Sequence, residues 1–267
     1  MKKTLTTMTL WTAACAPCFA QNADEVARQL SNPIASLTSV PFQFNHEHGA
    51  GVAGDGERLR LNIQPVIPFS IGEDWNLISR TIVPLIDQHG IIPGAGDQSG
   101  IGNVMQSLFF SPKAVTGSGW TWGAGPVFLL PTASDDLLGS DRWGIGPTAV
   151  ALRQTSRGWT YGGLVNHIVS VGGGDGRDIS ATFLQPFVAK RIGPGRTVTM
   201  NTEATYDWKQ GEWTVPVNLG ISQVIPARRQ MFSVQGGVIW YAQAPELAPE
   251  WGLRFTLTLL YPKQGNG

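Results

Sequence analysis

The sequence predicts an all-β protein, a transmembrane up-and-down antiparallel β-barrel of about twelve strands with a short N-terminal periplasmic helix. Three observations predict it. The first is the run Arg196 to Ile221, which alternates strictly through a strand, a short polar turn and a second strand. Val198, Met200, Thr202, Ala204, Tyr206 and Trp208 share one parity; Thr197, Thr199, Asn201, Glu203, Thr205 and Asp207 take the other. After Lys209-Gln210-Gly211-Glu212, the row Trp213, Val215, Val217, Leu219 and Ile221 stands opposite Thr214, Pro216, Asn218, Gly220 and Ser222. Successive strand side chains point to opposite faces, so each strand has one oily and one polar face. Each oily row starts or ends on an aromatic, and each strand is long enough to cross a bilayer when tilted. The second observation is composition. Charged residues make up 14% of the chain and hydrophobic ones 42%, whereas a soluble domain carries about a quarter charged residues. Past the leader, no apolar run approaches the ~20 residues of a membrane helix. The third is that the connections alternate between short and long, as periplasmic turns and outer loops do.

The chain opens with Met1-Lys2-Lys3, an apolar and small-residue stretch from Leu5 to Ala16, then Pro17-Cys18-Phe19-Ala20 before Gln21. This reads as a secretory signal peptide over 1–20, cleaved after Ala20. A lipoprotein signal ending at Cys15 is the weaker alternative, because Thr12-Ala13-Ala14 lacks a large aliphatic residue. Cleavage after Ala20 removes Cys15 and Cys18 together, which excludes disulfides and a thiolate catalyst. Residues 21–38 form an N-terminal periplasmic segment or plug. Within it, Asn22 to Ser31 spells a short helix begun at Asn22 or Asp24 and broken by Asn32-Pro33. Val26, Ala27 and Leu30 give it one apolar stripe, suited either to plugging the periplasmic mouth or to fraying in solution.

The barrel is expected over 39–263, followed by a tail, 264–267. Its strands are predicted at 39–48, 57–71, 74–86, 101–112, 119–131, 142–154, 158–171, 178–192, 196–208, 212–224, 230–242 and 251–261. Short turns fall at 72–73, 113–118, 155–157, 193–195 and 226–229; longer loops at 49–56, 87–100, 132–141, 172–177 and 243–250, with 209–212 as the exception. Aromatics mark the strand ends. Trp75, Trp120, Trp122, Trp159, Tyr161 and Tyr261 lie at the short-turn end; Trp143, Trp208, Trp213, Trp240, Tyr241 and Trp251 lie at the long-loop end. Two such girdles suit amphipathic rings at membrane interfaces, whereas a soluble sandwich would bury its tryptophans near strand centres. Gly-Trp-Thr-Trp-Gly at 119–123 returns as Gly-Trp-Thr-Tyr-Gly at 158–162, a repeated girdle position. Pro65, Pro84, Pro126, Pro147, Pro186 and Pro216 interrupt strands and call for bulges.

Polar-parity residues are expected to line the lumen. Arg58, Arg60, Asn62 and Gln64 share the inner face of the second strand, with Glu47, Arg80 and Arg254 beside them once the barrel closes. Glu203, Asp207 and Lys190 are expected on a more distant wall. Two readings stay open: a pore whose charged walls set a transverse field and select solutes, or a salt-bridge network filling a narrow barrel. His167 shares the oily parity of its strand, near Asn166 and Ser170, which raises lipid hydrolysis by an activated serine. Ser170 points to the other face, so no catalytic residues are assigned and the chain is read as a non-enzyme. His46 and His48 with Glu47 suggest a metal, but His46 and Glu47 alternate faces, so no metal or other cofactor is expected. Asp135, Asp136 and Asp141 read as solvated loop charge, with calcium or lipopolysaccharide as the alternative.

Formal charge is zero and basic residues do not cluster, which argues against nucleic acid as a partner. The partners expected are outer-membrane lipids and lipopolysaccharide, the barrel assembly machinery with periplasmic chaperones, and small-molecule solutes.

The segments Asn32-Pro33-Ile34-Ala35-Ser36-Leu37, Pro41-Phe42-Gln43, Gln64-Pro65-Val66-Ile67-Pro68-Phe69, Leu184-Gln185-Pro186-Phe187, Tyr206-Asp207-Trp208, Trp213 to Asn218, Trp251-Gly252-Leu253-Arg254 and Leu259 to Lys263 occur together. As a set they resemble a bacterial outer-membrane β-barrel transporter-like family, related to the phenol-degradation MetA-pathway family and often mislabelled neuromedin U. The resemblance implies a barrel in the cell outer membrane that passes small organic molecules, hydrophobic and aromatic ones included. An outer-membrane lipid-active enzyme and a structural or receptor barrel with a closed lumen are the competing classes. The family supplies no catalytic or ligand residues. One departure is the ending Gln264-Gly265-Asn266-Gly267, where many barrels end on an aromatic read by the assembly machinery.

Overall fold

The computed structural model describes residues 16–174, 176–227 and 230–261. The helix α1 spans Ala16–Leu30. Strands follow as β1 Thr38–Ala50, β2 Gly56–Ile63, β3 Val66–Ile71, β4 Trp75–His89, β5 Gln98–Ile101, β6 Val104–Pro112, β7 Trp120–Leu130 and β8 Arg142–Gln154. The second half of the barrel is β9 Trp159–Gly173, β10 Ser180–Gly193, β11 Arg196–Thr202, β12 Ala204–Asp207, β13 Glu212–Pro226, β14 Met231–Gln243 and β15 Trp251–Tyr261. All lie in one antiparallel sheet that closes on itself where β1 pairs β15, from Thr38 opposite Tyr261 to His48 opposite Trp251. Three wall strands are each made of two pieces, β2/β3, β5/β6 and β11/β12, so the fifteen segments build a twelve-stranded wall. Closure leaves no free edge, the condition for a sheet in lipid.

The three breaks have identifiable causes. Predicted strand 57–71 parts at Gln64-Pro65, where proline offers no amide to the ladder and the Pro65 carbonyl instead accepts from Thr81 N at 3.1 Å. Strand 196–208 parts at Glu203, opposite a register shift between Val215 and Pro216; Glu203 N donates to Pro216 O at 3.2 Å. Strand 101–112 begins earlier, at Gln98, and parts at 102–103, where Gly102 N donates to Pro84 O at 2.9 Å. Pro126 and Pro147 face each other across β7 and β8, and pairing lapses on their far sides, toward β6 and β9. Gly146 makes that bend possible, because a Cβ there would run into the His167 carbonyl oxygen.

Leu219, Ile221, Val238, Leu253 and Phe255 stand half-exposed on the outer face, while Asn218, Thr256, Thr258 and Asn166 are buried inside. Aromatics cap both rims. At the short-turn end Trp75 meets Trp122 edge-on and Trp120 meets Tyr161, each pair at 6.0 Å. At the long-loop end Tyr206 packs between Trp208 and Trp213. The loop aspartates accept from loop backbone: Asp135 Oδ1 from Leu137 N of its own loop at 2.8 Å, and Asp141 Oδ1 from Gly176 N of the next long loop at 3.0 Å.

The apolar stripe of α1 is docked at the short-turn end. Ala23, Val26 and Ala27 are buried against Leu37, Val224 and Leu260. Asp24 Oδ1 accepts from Gly195 N at 2.7 Å, and Arg28 and Gln154 exchange hydrogen bonds at 2.7 and 3.0 Å. The Arg28 guanidinium beside Glu25 holds that carboxyl below the usual carboxylate range. Past the helix, Ile34 enters a buried cluster of Ile78, Phe109, Val150, Leu152 and Leu164. Part of the interior is therefore apolar, which corrects the expectation of a polar lumen throughout. The helix begins at Ala16, so the predicted cleavage position after Ala20 falls within it. Residues 1–15, including Cys15, and the tail 264–267 lie outside the described residues.

Candidate functional site

Register places the charged side chains together. Glu47 pairs Arg58 and Asn45 pairs Arg60 between β1 and β2, while Asn45 also pairs Arg254 of β15. Cross-strand partners share a face, so this set projects inward from three adjacent strands. Glu47 is 1% exposed. Its Oε2 accepts from Arg58 Nε at 2.8 Å and its Oε1 from Arg60 Nη2 and, at 2.9 Å, from Tyr241 Oη. A carboxylate buried this deeply is tolerated only when paired and hydrogen-bonded.

Arg254 reaches across the lumen. Its Nη1 and Nη2 donate to Glu203 Oε1 and Oε2 at 2.9 and 3.0 Å, a two-pronged pair, and its Nε donates to Asn45 Oδ1 at 2.7 Å. The strand break at Glu203 frees the backbone to deliver this carboxylate. Arg80 Nη2 donates to Gln64 Oε1 at 3.1 Å, and Gln64 in turn donates to Gln43 at 2.9 Å. Among the described residues Arg80 makes no ion pair, and the buried Nε of Arg60 has no protein acceptor. Four guanidinium groups thus face two carboxylates, leaving an excess of two positive charges. Beneath them lies a cavity of about 280 Å³, walled by Gln64, Arg80, Asn201, Glu203, Gln235 and Arg254 and floored by Ala27, Leu30 and Leu37.

Glu47, Arg58, Arg60, Gln64, Arg80 and Arg254 all come together in this group. Glu203 joins them, instead of standing on a separate wall, so its charge and that of Arg254 are spent in one contact rather than across a transverse field. Two residues are corrected. Lys190 pairs Trp159 and Val198 on the outer face; its Nζ donates to Arg157 O at 2.6 Å and sits 4.9 Å from the Trp159 ring. The inner row of β10, Phe183, Gln185, Phe187 and Ala189, is mostly apolar, so alternation offered no polar row to assign. Asp207 keeps the inner parity but sits at the hairpin end, where Oδ1 accepts from Lys209 N and Gln210 N at 2.7 and 3.1 Å.

Tyr241 is the residue that pattern reading missed. Its place near a strand end suggests the girdle, yet its neighbour Trp240 is 62% exposed on the outer face, and adjacent strand residues cannot share a face. That adjacency was the available signal. On the outside, His167 Nδ1 lies 2.8 Å from Thr182 Oγ1, which also accepts from Trp208 Nε1. Ser170 turns to Asp178 and the Ile179 amide instead.

Residues 52–258 match the family model described as "Putative MetA-pathway of phenol degradation". No curated protein matches the chain. Among solved structures, the COG4313 outer membrane channel from Pseudomonas putida F1 aligns with a TM-score of 0.66 at 13% identity, over 85% of this chain and 96% of that one. The NanC porin aligns with a TM-score of 0.52 at 8% identity, over 84% of this chain and 99% of its own. At these identities the likeness is one of fold: an outer-membrane β-barrel.

Proposed function

The chain belongs to the family described as "Putative MetA-pathway of phenol degradation", and from that premise we propose that it is an outer-membrane channel for small organic molecules, hydrophobic and aromatic ones included. The observation that carries this reading is the cavity of about 280 Å³ beside Arg80, whose guanidinium has a hydrogen bond to Gln64 and no carboxylate partner among the described residues. A dry cavity of about 150 Å³ already holds benzene, so the space suits a single small solute. Unspent guanidinium donors in a low-dielectric lumen favour solutes with a carboxylate or phenolate. Liposome swelling with sugars, organic acids and aromatics tests this: organic acids are expected to enter faster than neutral sugars of equal size. No swelling with any solute would overturn it.

A closed barrel is the second reading, favoured by α1 docked at one mouth. The two differ over Ala27, which is 3% exposed against the barrel. Ala27→Asp buries a charge there and is expected to undock the helix, raising the swelling rate while the barrel stays folded. An unchanged rate would show that α1 does not limit passage. The proposal includes removal of 1–20 before assembly, insertion by the barrel assembly machinery, and transport rather than lipid hydrolysis.

A further inference from the structure

We propose that His46, His48 and Glu57 form a binding site for a divalent transition-metal ion, of the zinc, nickel and copper class, on the outer face of the barrel at the long-loop end. His46 and His48 are two residues apart in β1 and therefore share a face. Glu57 of β2 pairs His48 directly, which puts its carboxylate between the two imidazoles. His46 Nε2 lies 3.4 Å from Glu57 Oε2, and His48 Nδ1 lies 3.1 Å from Glu57 Oε1. All three donor atoms fall within 4.8 Å of one another. Two ligands at the usual zinc distances, arranged tetrahedrally, stand about 3.3 Å apart. The spacing already matches, and small rotations of the exposed His46 and Glu57 side chains close the rest.

Two imidazoles and a carboxylate are a donor set for zinc, copper or nickel rather than for calcium or magnesium, which prefer oxygen. The ring of His48 stacks on Trp251 at 4.6 Å, which holds one ligand in place before any ion arrives. Location adds a second argument. Below this cluster the outer rows continue as Phe44, Leu59, Leu61 and Phe255, so the three donors sit where an oily face gives way to ionisable groups at the girdle level. One histidine on Glu57 would be an ordinary surface pair; two on the same carboxylate make a three-donor cluster. His89 pairs Glu57 from β4 and is held by Asp87 at 3.3 Å and Asp97 at 3.1 Å, two carboxylates that add negative charge alongside. Glu47, the carboxylate between these histidines in sequence, is on the opposite face and occupied by Arg58 and Arg60.

The test uses the full chain refolded in detergent without a polyhistidine tag, with Cu²⁺ alone as the probe for electron paramagnetic resonance and Zn²⁺ for calorimetry. A single equivalent of copper is expected, with nitrogen splitting from two imidazoles. His46→Ala and His48→Ala are each expected to weaken binding on the order of tenfold or more, at least the loss that follows removal of a ligand's outer-shell partner, and to remove one nitrogen's splitting, with Glu57→Gln weaker in effect. Both histidines face outward, so the alanine variants should keep the heat-modifiable band shift of the folded barrel. No copper bound by the parent would overturn the proposal. So would binding that survives in the double histidine variant, which would place the ion in the acidic loops.

Discussion

Glu47→Gln is expected to cost the barrel about 3–5 kcal/mol, the range for removing one side of a buried ion pair. Glu47 is enclosed, and its two oxygens satisfy Arg58, Arg60 and the Tyr241 hydroxyl. The glutamine amide keeps the volume but removes the charge, so two guanidinium groups remain in the lumen without the counter-ion that offset their desolvation. Adding Arg60→Gln should recover part of the loss, since the pair would then be replaced and not merely broken. The measurement is the urea midpoint of the lipid-folded protein, followed by the shift between folded and unfolded bands. A change within about 0.5 kcal/mol, as at an unimportant surface site, would show that the pair carries little of the fold.

Leu219→Arg is expected to cost about 2–4 kcal/mol, the penalty for a cation on the lipid face near the midplane. Leu219 is 51% exposed at the centre of β13. Its neighbour Asn218 is buried on the inner face, donates to Asn201 Oδ1 at 2.7 Å and borders the lumenal cavity. Asn218→Arg should therefore cost far less, because the longer side chain has polar space to enter. Equal damage in the same assay would mean that the faces are assigned the wrong way round.

This pair of neighbours also shows why so much of the wall could be read from sequence. A barrel strand has lipid on one side and lumen on the other, and period-two alternation records both wherever the lumen is polar, as along Arg196 to Ile221. The charged group was legible for the same reason: Arg58, Arg60 and Gln64 stand opposite Leu59, Leu61 and Ile63. Legibility failed where the lumen itself is apolar. In β10 both rows are oily, so the pattern does not show that Lys190 snorkels outward over Trp159. The cluster around Ile34, Ile78 and Phe109 was hidden likewise. Contacts across the lumen leave no local pattern either. The Arg254–Glu203 pair spans 51 residues of sequence, and only the closed wall with its break at Glu203 brings the two together. Asp207 illustrates a third limit: parity says which way a side chain points, not how near the strand end it caps a turn.

The central claim is that the arginine-rich group lines an open path, and single-channel recording in planar bilayers tests it most directly. The reversal potential under a salt gradient reports which sign of ion passes, because fixed charges in a narrow lumen are weakly screened. Among the described residues Arg80 has no carboxylate partner and the buried Nε of Arg60 has no acceptor, and the group as a whole carries excess positive charge. The parent protein is expected to show discrete conductance steps with anion preference, and Arg80→Gln, which breaks no ion pair, should move the reversal potential toward cations without unfolding the barrel. Silent bilayers from folded parent protein would contradict it and assign the same residues to a closed, purely structural network.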